Sequence, residues 1–212
     1  MDGNTRWAKK NNQNLYDSYK KGSLKLLNLT EYLFKSYDMS FVSSFALSSH
    51  NLKRSVKTIS ILKKVLNDFL DSNINEDRYK FSIRFIGDLT FLNSSLIAKL
   101  NNLEAKKQNF NKSLIIFINY SGRQDIINSI NSQKKNDLIK NDNLNYYLST
   151  KDFPNPDLII RTGGFQRISD FMLFQIAFSE LIFTKKLWPD ISNSDLKSMI
   201  KKYHRTERKF GI

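Results

Sequence analysis

Short apolar runs alternate along the chain with longer stretches in which apolar residues recur every three or four positions. The short runs, each bounded by polar or turn-forming residues, cover residues 41–47, 80–86, 113–119 and 157–161, with residues 181–184 as a shorter fifth. Apolar runs of this length with such boundaries are typical of buried parallel strands. We therefore predict five strands.

The longer stretches predict helices between these strands. The clearest apolar face follows the first run and consists of Val56, Ile59, Leu62, Leu66, Phe69 and Leu70. A weaker face before the first run consists of Leu24, Leu27 and Leu33, and another after the second run consists of Leu96, Leu100 and Leu103. Residues 168–181 are apolar nearly all round, which predicts a buried helix. The alternation indicates an α/β fold, with a mainly parallel central sheet flanked by helices.

Length and composition are those of one globular domain. A chain of 212 residues can bury one core but is short for two, so we assign residues 1–212 to a single domain. No apolar run approaches the roughly 18–20 residues that a membrane span requires. The chain has no cysteine, which excludes disulfides, and its N-terminus lacks the apolar core of a signal peptide. We expect a cytoplasmic protein.

The formal net charge of +14 predicts a polyanionic ligand. Nucleic acid, a diphosphate and an anionic membrane surface are all of this kind. A nucleic-acid-binding module would need aromatic residues interleaved with basic ones on an exposed face. Here lysine is spread along the chain and most phenylalanines fall in core-like positions. We therefore keep the nucleic-acid-binding module only as the less favoured alternative.

Polar clusters follow the predicted strands at the points where they end. They are Ser48-Ser49-His50-Asn51, Gly87-Asp88, Asn119-Tyr120-Ser121-Gly122-Arg123 and Arg161-Thr162-Gly163-Gly164. Ligands of open α/β sheets bind beyond the carboxyl ends of the strands. We expect these clusters to converge on one site.

The first residues of the chain resemble such a cluster without a preceding strand. A glycine such as Gly3 lets backbone N–H groups approach an anion, and the fork of Arg6 matches phosphate oxygens. The carboxylate of Asp2 beside a phosphate is favourable mainly when Mg²⁺ bridges the two. Taken alone, the same residues also fit an ordinary turn.

A second candidate cluster surrounds the Gly163-Gly164 pair. Arg161 and Arg167 supply two guanidiniums and Ser169 a hydroxyl, although a pair of surface arginines would show the same pattern. Glu180 follows among apolar residues, where a carboxylate needs a metal or an arginine as its partner.

Motifs along the whole chain resemble those of the cis-prenyltransferase family, whose bacterial members include undecaprenyl diphosphate synthase. The matching segments are MDGNTRWAKK (1–10), FALSSHNLKR (45–54), RFIGD (84–88), NYSGRQDI (119–126), DLIIRTGG (157–164), RIS (167–169), LWPD (187–190) and RTERKFG (205–211). Because they occur in order over essentially the full length, a coincidence of single motifs does not explain them.

The resemblance implies an enzyme that condenses isopentenyl diphosphate with an allylic diphosphate such as farnesyl diphosphate. The product would be a cis-polyprenyl diphosphate, the precursor of the undecaprenyl carrier lipid. The resemblance further implies Mg²⁺ as cofactor and a hydrophobic product tunnel. It implies a homodimer, with the C-terminal Phe210-Gly211 segment reaching across the interface. It also implies transient membrane-surface contact for product release and no nucleic-acid partner. It also implies that the chain begins just after a strand that its relatives possess.

The resemblance assigns roles to individual residues. Asp2, Asn51 and Arg54 would be catalytic, with Asn51 accepting a proton, while Asp2 and Glu180 would be metal ligands. Gly3, Asn4, Thr5, Arg6 and Trp7 would bind the allylic diphosphate. Ser48, at the reacting centre, and Ser49 would bind substrate. Arg161, Arg167, Ile168 and Ser169 would hold isopentenyl diphosphate.

Five positions depart from the family pattern. This chain has Leu15 where the family has an arginine and Tyr19 where it has a histidine. It has His50 in place of a glutamate, Leu52 in place of a tryptophan and Phe165 in place of a glutamate. These changes make a non-catalytic partner subunit of a prenyltransferase complex a second alternative. The apolar face at Leu62, Leu66 and Phe69 is our candidate tunnel wall, with plain core packing as the other interpretation.

Overall fold

The strands lie within two residues of their predicted positions. A computed structural model describes residues 1–53, 55–73, 78–132 and 144–207. The described strands are β1 (Phe41–Ser48), β2 (Ser82–Ile86), β3 (Ser113–Tyr120), β4 (Leu158–Arg161) and β5 (Glu180–Phe183). The C-terminal tail from residue 208, which carries part of the last motif, lies outside the described residues.

Helices connect and cover these strands. The described helices are α1 (Asn4–Lys10), α2 (Leu15–Ser36), α3 (Val56–Asn73), α4 (Ser94–Lys106), α5 (Gly122–Ser132) and α6 (Asn193–His204), with short 3₁₀ turns at Ser49–Lys53 and Trp188–Asp190. Their starts follow from local chemistry. The side chains of Asn14 and Asn93 cap α2 and α4, and Ser192 forms a capping box with Asp195 at α6. None of the described helices has the length and apolar content needed to cross a membrane.

The predicted parallel sheet is confirmed, and it is divided in two. β3 lies between β1 and β2, while β4 pairs only with β5 among the described strands, and all three pairings are parallel. Parallel neighbours require crossover connections, and the helices supply them. All the described strands therefore end on the same side as their immediate partners, as the site prediction requires.

The two faces of β3 show where the core lies. Successive residues of a strand point to opposite faces. Leu114 and Ile116 pack with buried residues of α2, α3 and α4, whereas Ile115 and Phe117 pack with residues 171–176. Every residue from 114 to 120 is buried. β3 is thus covered on both sides, which explains its continuous apolar run.

The predicted helix over residues 168–181 is wrong. This segment consists of turns and bends, and Ser169, Asp170 and Met172 have positive φ values of 52°, 66° and 47°. An α-helix cannot contain such residues. The carboxylate of Asp170 accepts hydrogen bonds from Ser121 Oγ at 2.5 Å and from the Arg123 backbone N–H at 3.1 Å. These long-range bonds shape the segment, while its apolar side chains still fill the core.

Candidate active site

The carboxylate of Asp2 lies between two arginines at the end of β4. Its Oδ2 accepts a hydrogen bond from Arg161 Nη2 at 3.0 Å, and its Oδ1 accepts one from Arg6 Nη2 at 3.2 Å. The Asp2 side chain is 34% exposed, so solvent or a ligand can still reach it. The structure therefore brings together the first cluster and the second, 159 residues apart in sequence.

Thr162 fixes the backbone of Asp2. Its hydroxyl accepts from the Asp2 N–H at 2.9 Å and donates to the Asp2 carbonyl at 3.0 Å. The same carbonyl accepts from the Trp188 N–H at 2.9 Å. Thr162 is buried, so these bonds are protected from water. The carboxylate is thereby presented from a rigid backbone.

Gly163 gives the arginines room to reach Asp2. Its φ of +86° belongs to the left-handed region, and a Cβ there would lie 2.6 Å from Arg6 Nη2 and 3.0 Å from Asp2 Cγ. Its carbonyl accepts a hydrogen bond from Arg6 Nη1 at 2.7 Å. Any larger residue would push Arg6 away from Asp2.

Arg161 is held from several sides. Its Nη1 donates to Ser169 Oγ at 2.6 Å and to the carbonyl oxygen of Arg167. Its Nε is buried and has no hydrogen-bond partner among the described residues. The guanidiniums of Arg6, Arg161 and Arg167 also lie 5.0, 5.7 and 4.1 Å from the centre of the Phe165 ring. Three guanidiniums therefore lie around one ring, and the Asp2 carboxylate pairs with two of them, which leaves an excess of positive charge for an anion.

The end of β1 borders the same cavity. Ser48 is its last residue, and Asn51 lies half-buried in the 3₁₀ turn that follows. Both line the cavity that Asp2 and Arg161 line. The ends of β1 and β4 thus converge on one cavity, as predicted. The other two predicted clusters do not follow: Gly87 and Asp88 do not line the cavity, and Arg123 is the one residue of the 119–123 cluster that does.

The cavity has a polar mouth and an apolar interior. Its volume is about 1440 Å³, above the roughly 300–1,000 Å³ of most small-molecule pockets. The interior is lined by apolar side chains of α2, α3 and neighbouring segments, among them Leu26, Leu62, Leu66, Phe69, Phe91 and Leu92. The three predicted wall residues are therefore at the cavity surface, and Phe69 belongs to the core as well.

Part of this volume runs along strand edges. All residues of β1 and all those of β4 line the cavity. Because successive side chains of a strand point to opposite faces, a strand that lines a cavity with every residue presents its edge to it. The cavity therefore extends between the two sheets as well as beneath α2 and α3.

Most predicted site residues meet at this cavity. They are Asp2, Gly3, Asn4, Thr5, Arg6, Ser48, Asn51, Arg161, Arg167, Ile168 and Ser169. Three others do not line it: Trp7, Ser49 and Glu180. Arg54 lies outside the described residues.

Trp7 and Glu180 have other surroundings than expected. Trp7 is buried, and its indole N–H donates to Asp190 Oδ1 at 2.7 Å, so it joins α1 to the Trp188–Asp190 turn. Glu180 is the first residue of β5 and pairs with Leu158. It lies three residues, roughly 10 Å, from the strand end near Asp2. Within one chain, Glu180 therefore does not lie beside Asp2. The described ranges also contain no cluster of three side chains that could together hold a metal ion.

Sequence reasoning gave no specific role to Thr162 or Phe165, although it named both, and it did not single out Asp170. Thr162 directly follows Arg161 at the end of a predicted strand, and this position could have indicated a role at the site. Asp170 acts through Ser121 and Arg123, which are 49 and 47 residues away, and no local pattern indicates that contact.

Comparison with known proteins gives one consistent result. Residues 1–211 match the family model described as "Putative undecaprenyl diphosphate synthase". The chain is 36% identical to the tritrans,polycis-undecaprenyl-diphosphate synthase (geranylgeranyl-diphosphate specific) of Pyrobaculum aerophilum, over 99% of this chain and 92% of that protein. It is 35% identical to the isoprenyl transferase of Rickettsia sibirica, over 100% of this chain and 95% of the other.

Solved structures agree with the sequence matches. Lavandulyl diphosphate synthase from Lavandula x intermedia, in complex with dimethylallyl diphosphate, superposes with a TM-score of 0.88 at 28% identity, covering 100% of this chain and 95% of that one. A "probable undecaprenyl diphosphate synthase" from Campylobacter jejuni superposes with a TM-score of 0.80 at 29% identity, covering 91% of this chain and 92% of that one.

Proposed function

The chain belongs to the undecaprenyl diphosphate synthase family of cis-prenyltransferases, and from that premise we propose that it condenses isopentenyl diphosphate with an allylic diphosphate. The observation that carries the proposal is the position of Asp2, Arg6 and Arg161 at the mouth of an apolar cavity. A diphosphate head and an isoprenoid tail need these two environments side by side.

The two diphosphates occupy adjacent parts of the mouth. Gly3, Asn4, Thr5 and Arg6 hold the allylic diphosphate, and Arg161, Arg167 and Ser169 hold isopentenyl diphosphate. Arg167 is exposed, and Arg161 Nε has no hydrogen-bond partner within the described ranges; both observations support the second assignment. Bidentate arginine contacts suit phosphate oxygens better than lysine contacts do.

The chemistry requires charge stabilisation before bond formation. The allylic C–O bond breaks and the diphosphate leaves with the electron pair, so negative charge grows where Arg6 and the α1 start lie. The double bond of isopentenyl diphosphate attacks the allylic carbon, and one proton is then lost. Asn51, at the end of β1, orients the substrate and accepts that proton through its amide oxygen.

Mg²⁺ fits the donor set around Asp2. This ion is usually bound by one or two carboxylates together with substrate phosphates and water. Asp2 offers one partly exposed carboxylate, and we propose it as the metal ligand from this chain. Bound there, Mg²⁺ would offset diphosphate charge. Within one chain, Glu180 lies at the other end of β5 from this carboxylate.

The growing isoprenoid occupies the cavity beneath α2 and α3. Each five-carbon unit buried contributes roughly 4 kcal/mol, at about 0.8 kcal/mol per CH₂. Leu62, Leu66 and Phe69 form part of the wall. The product would be a cis-polyprenyl diphosphate of the kind that precedes the undecaprenyl carrier lipid.

We further propose a homodimer and transient contact with membrane surfaces in the cytoplasm. Exposed apolar residues on α5 and β5, namely Ile127, Ile130 and Leu181, support a subunit interface that includes them. The net charge of +14 supports attraction to anionic lipid. Light scattering after size exclusion should give about twice the mass of one chain, and sedimentation with anionic vesicles should exceed that with neutral ones.

One experiment tests the activity and the starter together. Purified protein is incubated with Mg²⁺, labelled isopentenyl diphosphate and, in separate reactions, dimethylallyl, farnesyl or geranylgeranyl diphosphate, and the products are sized. We expect label in longer prenyl diphosphates, with farnesyl diphosphate the best starter. Binding of isopentenyl diphosphate without product from any starter would contradict the activity and favour a non-catalytic partner subunit.

A further inference from the structure

We infer that Phe165 is a positioning residue that gathers three arginines into one diphosphate-binding surface. The inference rests on the proposed function and adds to it. The aromatic ring replaces a carboxylate at a position where the family pattern has glutamate. It holds the guanidiniums without using their hydrogen-bond donors.

The Phe165 ring lies close to all three guanidiniums. Arg167 lies 4.1 Å, Arg6 5.0 Å and Arg161 5.7 Å from the ring centroid. All three distances are within the roughly 6 Å over which a cation is attracted to an aromatic ring. These arginines come from α1, from the end of β4 and from the loop after it, so the ring connects three separate segments.

The backbone before Phe165 is anchored. Gly163 and Gly164 both have positive φ, and their N–H groups donate to the carbonyls of Lys186 and Thr184 at 2.8 Å. This double turn follows directly on β4 and is tied to the segment after β5. The ring therefore projects from a fixed point, although it is itself 41% exposed.

Electrostatics explain why a ring suits this place. Three guanidiniums repel one another, and Asp2 is the one carboxylate that pairs with any of them among the described residues. A ring attracts cations through its quadrupole and leaves their N–H groups available. A glutamate would offset the same repulsion but would take two or more donors in charge-assisted hydrogen bonds. Arg6 and Arg161 already donate to Asp2, Gly163, Ser169 and the Arg167 carbonyl. With phenylalanine, their remaining donors and those of Arg167 stay available for phosphate oxygens.

Arg167 depends most on this contact. It is exposed, and among the described residues its guanidinium pairs with no carboxylate. Without the ring, its long side chain would sample many rotamers, and binding a diphosphate would require ordering it again. Loss of the ring should therefore weaken diphosphate binding more than it changes the rate of the bound complex.

The test measures inorganic pyrophosphate binding by calorimetry in wild type and in Phe165→Leu, Phe165→Tyr and Phe165→Trp. We expect Phe165→Leu to raise the Kd about tenfold, as loss of several cation–π contacts implies. Tyrosine and tryptophan should restore it to within about twofold. In the condensation assay, Phe165→Leu should raise KM for isopentenyl diphosphate with kcat little changed. Phe178→Leu, at another exposed phenylalanine, should leave binding unchanged.

The outcomes separate this inference from the proposed function. An unchanged Kd in Phe165→Leu overturns the inference, and so do tyrosine and tryptophan variants as weak as leucine. A tenfold weaker Kd, restored by both aromatic residues, supports it even if the wild type forms no prenyl product. Wild type that binds no pyrophosphate overturns both proposals. If Phe165→Leu does not fold, as judged by thermal unfolding, Phe165→Met supplies the non-aromatic comparison.

Discussion

Two aspartates in this chain show how the same side chain serves two purposes. Asp125, on α5, is 7% exposed, and its carboxylate accepts from the Tyr120 hydroxyl at 2.9 Å and the Ser149 N–H at 3.0 Å, with Gln175 Nε2 at 3.4 Å. Asp2 is 34% exposed and faces two guanidiniums beside a cavity. The carboxylate of Asp125 receives its hydrogen bonds from neutral groups of the protein. The carboxylate of Asp2 pairs with two guanidiniums, and these cations can also bind an anionic ligand.

The surroundings of Asp125 have a consequence for its neighbour. Burial, together with the negative charge of Asp125, raises the pKa of Tyr120 well above its ordinary value. Tyr120 therefore stays protonated and remains a hydrogen-bond donor throughout the physiological range. Asp125 connects α5 with Ser149 and Gln175, and we regard it as structural.

Removal of divalent cations should separate the two aspartates most strongly. Excess chelator should abolish condensation, because two diphosphates cannot approach Asp2 without a cation between them. The unfolding midpoint in urea should not move, because Asp125 binds only protein groups. Turnover that persists in chelator would contradict the role given to Asp2, and restored turnover on adding Mg²⁺ is the control.

Asp125→Ala should mainly affect stability. Truncation leaves the Tyr120 hydroxyl and the Ser149 N–H buried without an acceptor, at about 1–3 kcal/mol for each such group. We expect a free energy of unfolding lower by about 3 kcal/mol, measured in urea. KM values in the folded fraction should be unchanged, and a normal unfolding free energy would show that this network contributes little.

Arg161→Ala and Arg167→Ala should each weaken isopentenyl diphosphate binding by about 1.5–3 kcal/mol, the range for a hydrogen bond to a charged group. The KM for the allylic substrate should change less. Arg161→Lys and Arg167→Lys are the matched variants, and they should recover binding only in part because the bidentate fork is lost. Normal KM values in both alanine variants would mean that the two diphosphate sites are wrongly assigned.

The departures on α2 should give the smallest effect. Tyr19 lines the cavity, whereas Leu15, the first residue of α2, does not. Tyr19→His should strengthen the binding of farnesyl diphosphate by on the order of 1 kcal/mol when the imidazole is protonated, and its KM should fall accordingly. The gain should be larger at pH 6 than at pH 8, and Leu15→Arg should gain less. Equal KM values at both pH values would show that this chain holds its allylic substrate through other residues.

The sequence was a good guide where local pattern decides structure. β3 was predicted because a continuous apolar run between polar ends has few other solutions. The meeting of the Ser48 and Arg161 clusters at one cavity followed from the rule about strand ends. Both are general consequences of parallel α/β architecture.

Prediction failed where distant contacts decide. Residues 168–181 have a helical composition, but Asp170 bonds to Ser121 and Arg123 and adopts a left-handed conformation. Glu180 was expected near the end of that helix, and its role as a metal ligand came from the family resemblance. It starts β5 instead, and the strand direction moves it away from Asp2. Neither outcome could be read from periodicity.

The most direct test of the central claim compares wild type and Asp2→Ala in the incorporation of labelled isopentenyl diphosphate. We expect the variant to lose about 10²–10³-fold or more in kcat, the scale for removing one electrostatic contact at a reacting centre. Its unfolding midpoint should stay close to that of wild type, since the Asp2 side chain is partly exposed and lies in a polar turn. Incorporation by Asp2→Ala at the wild-type rate would contradict the account.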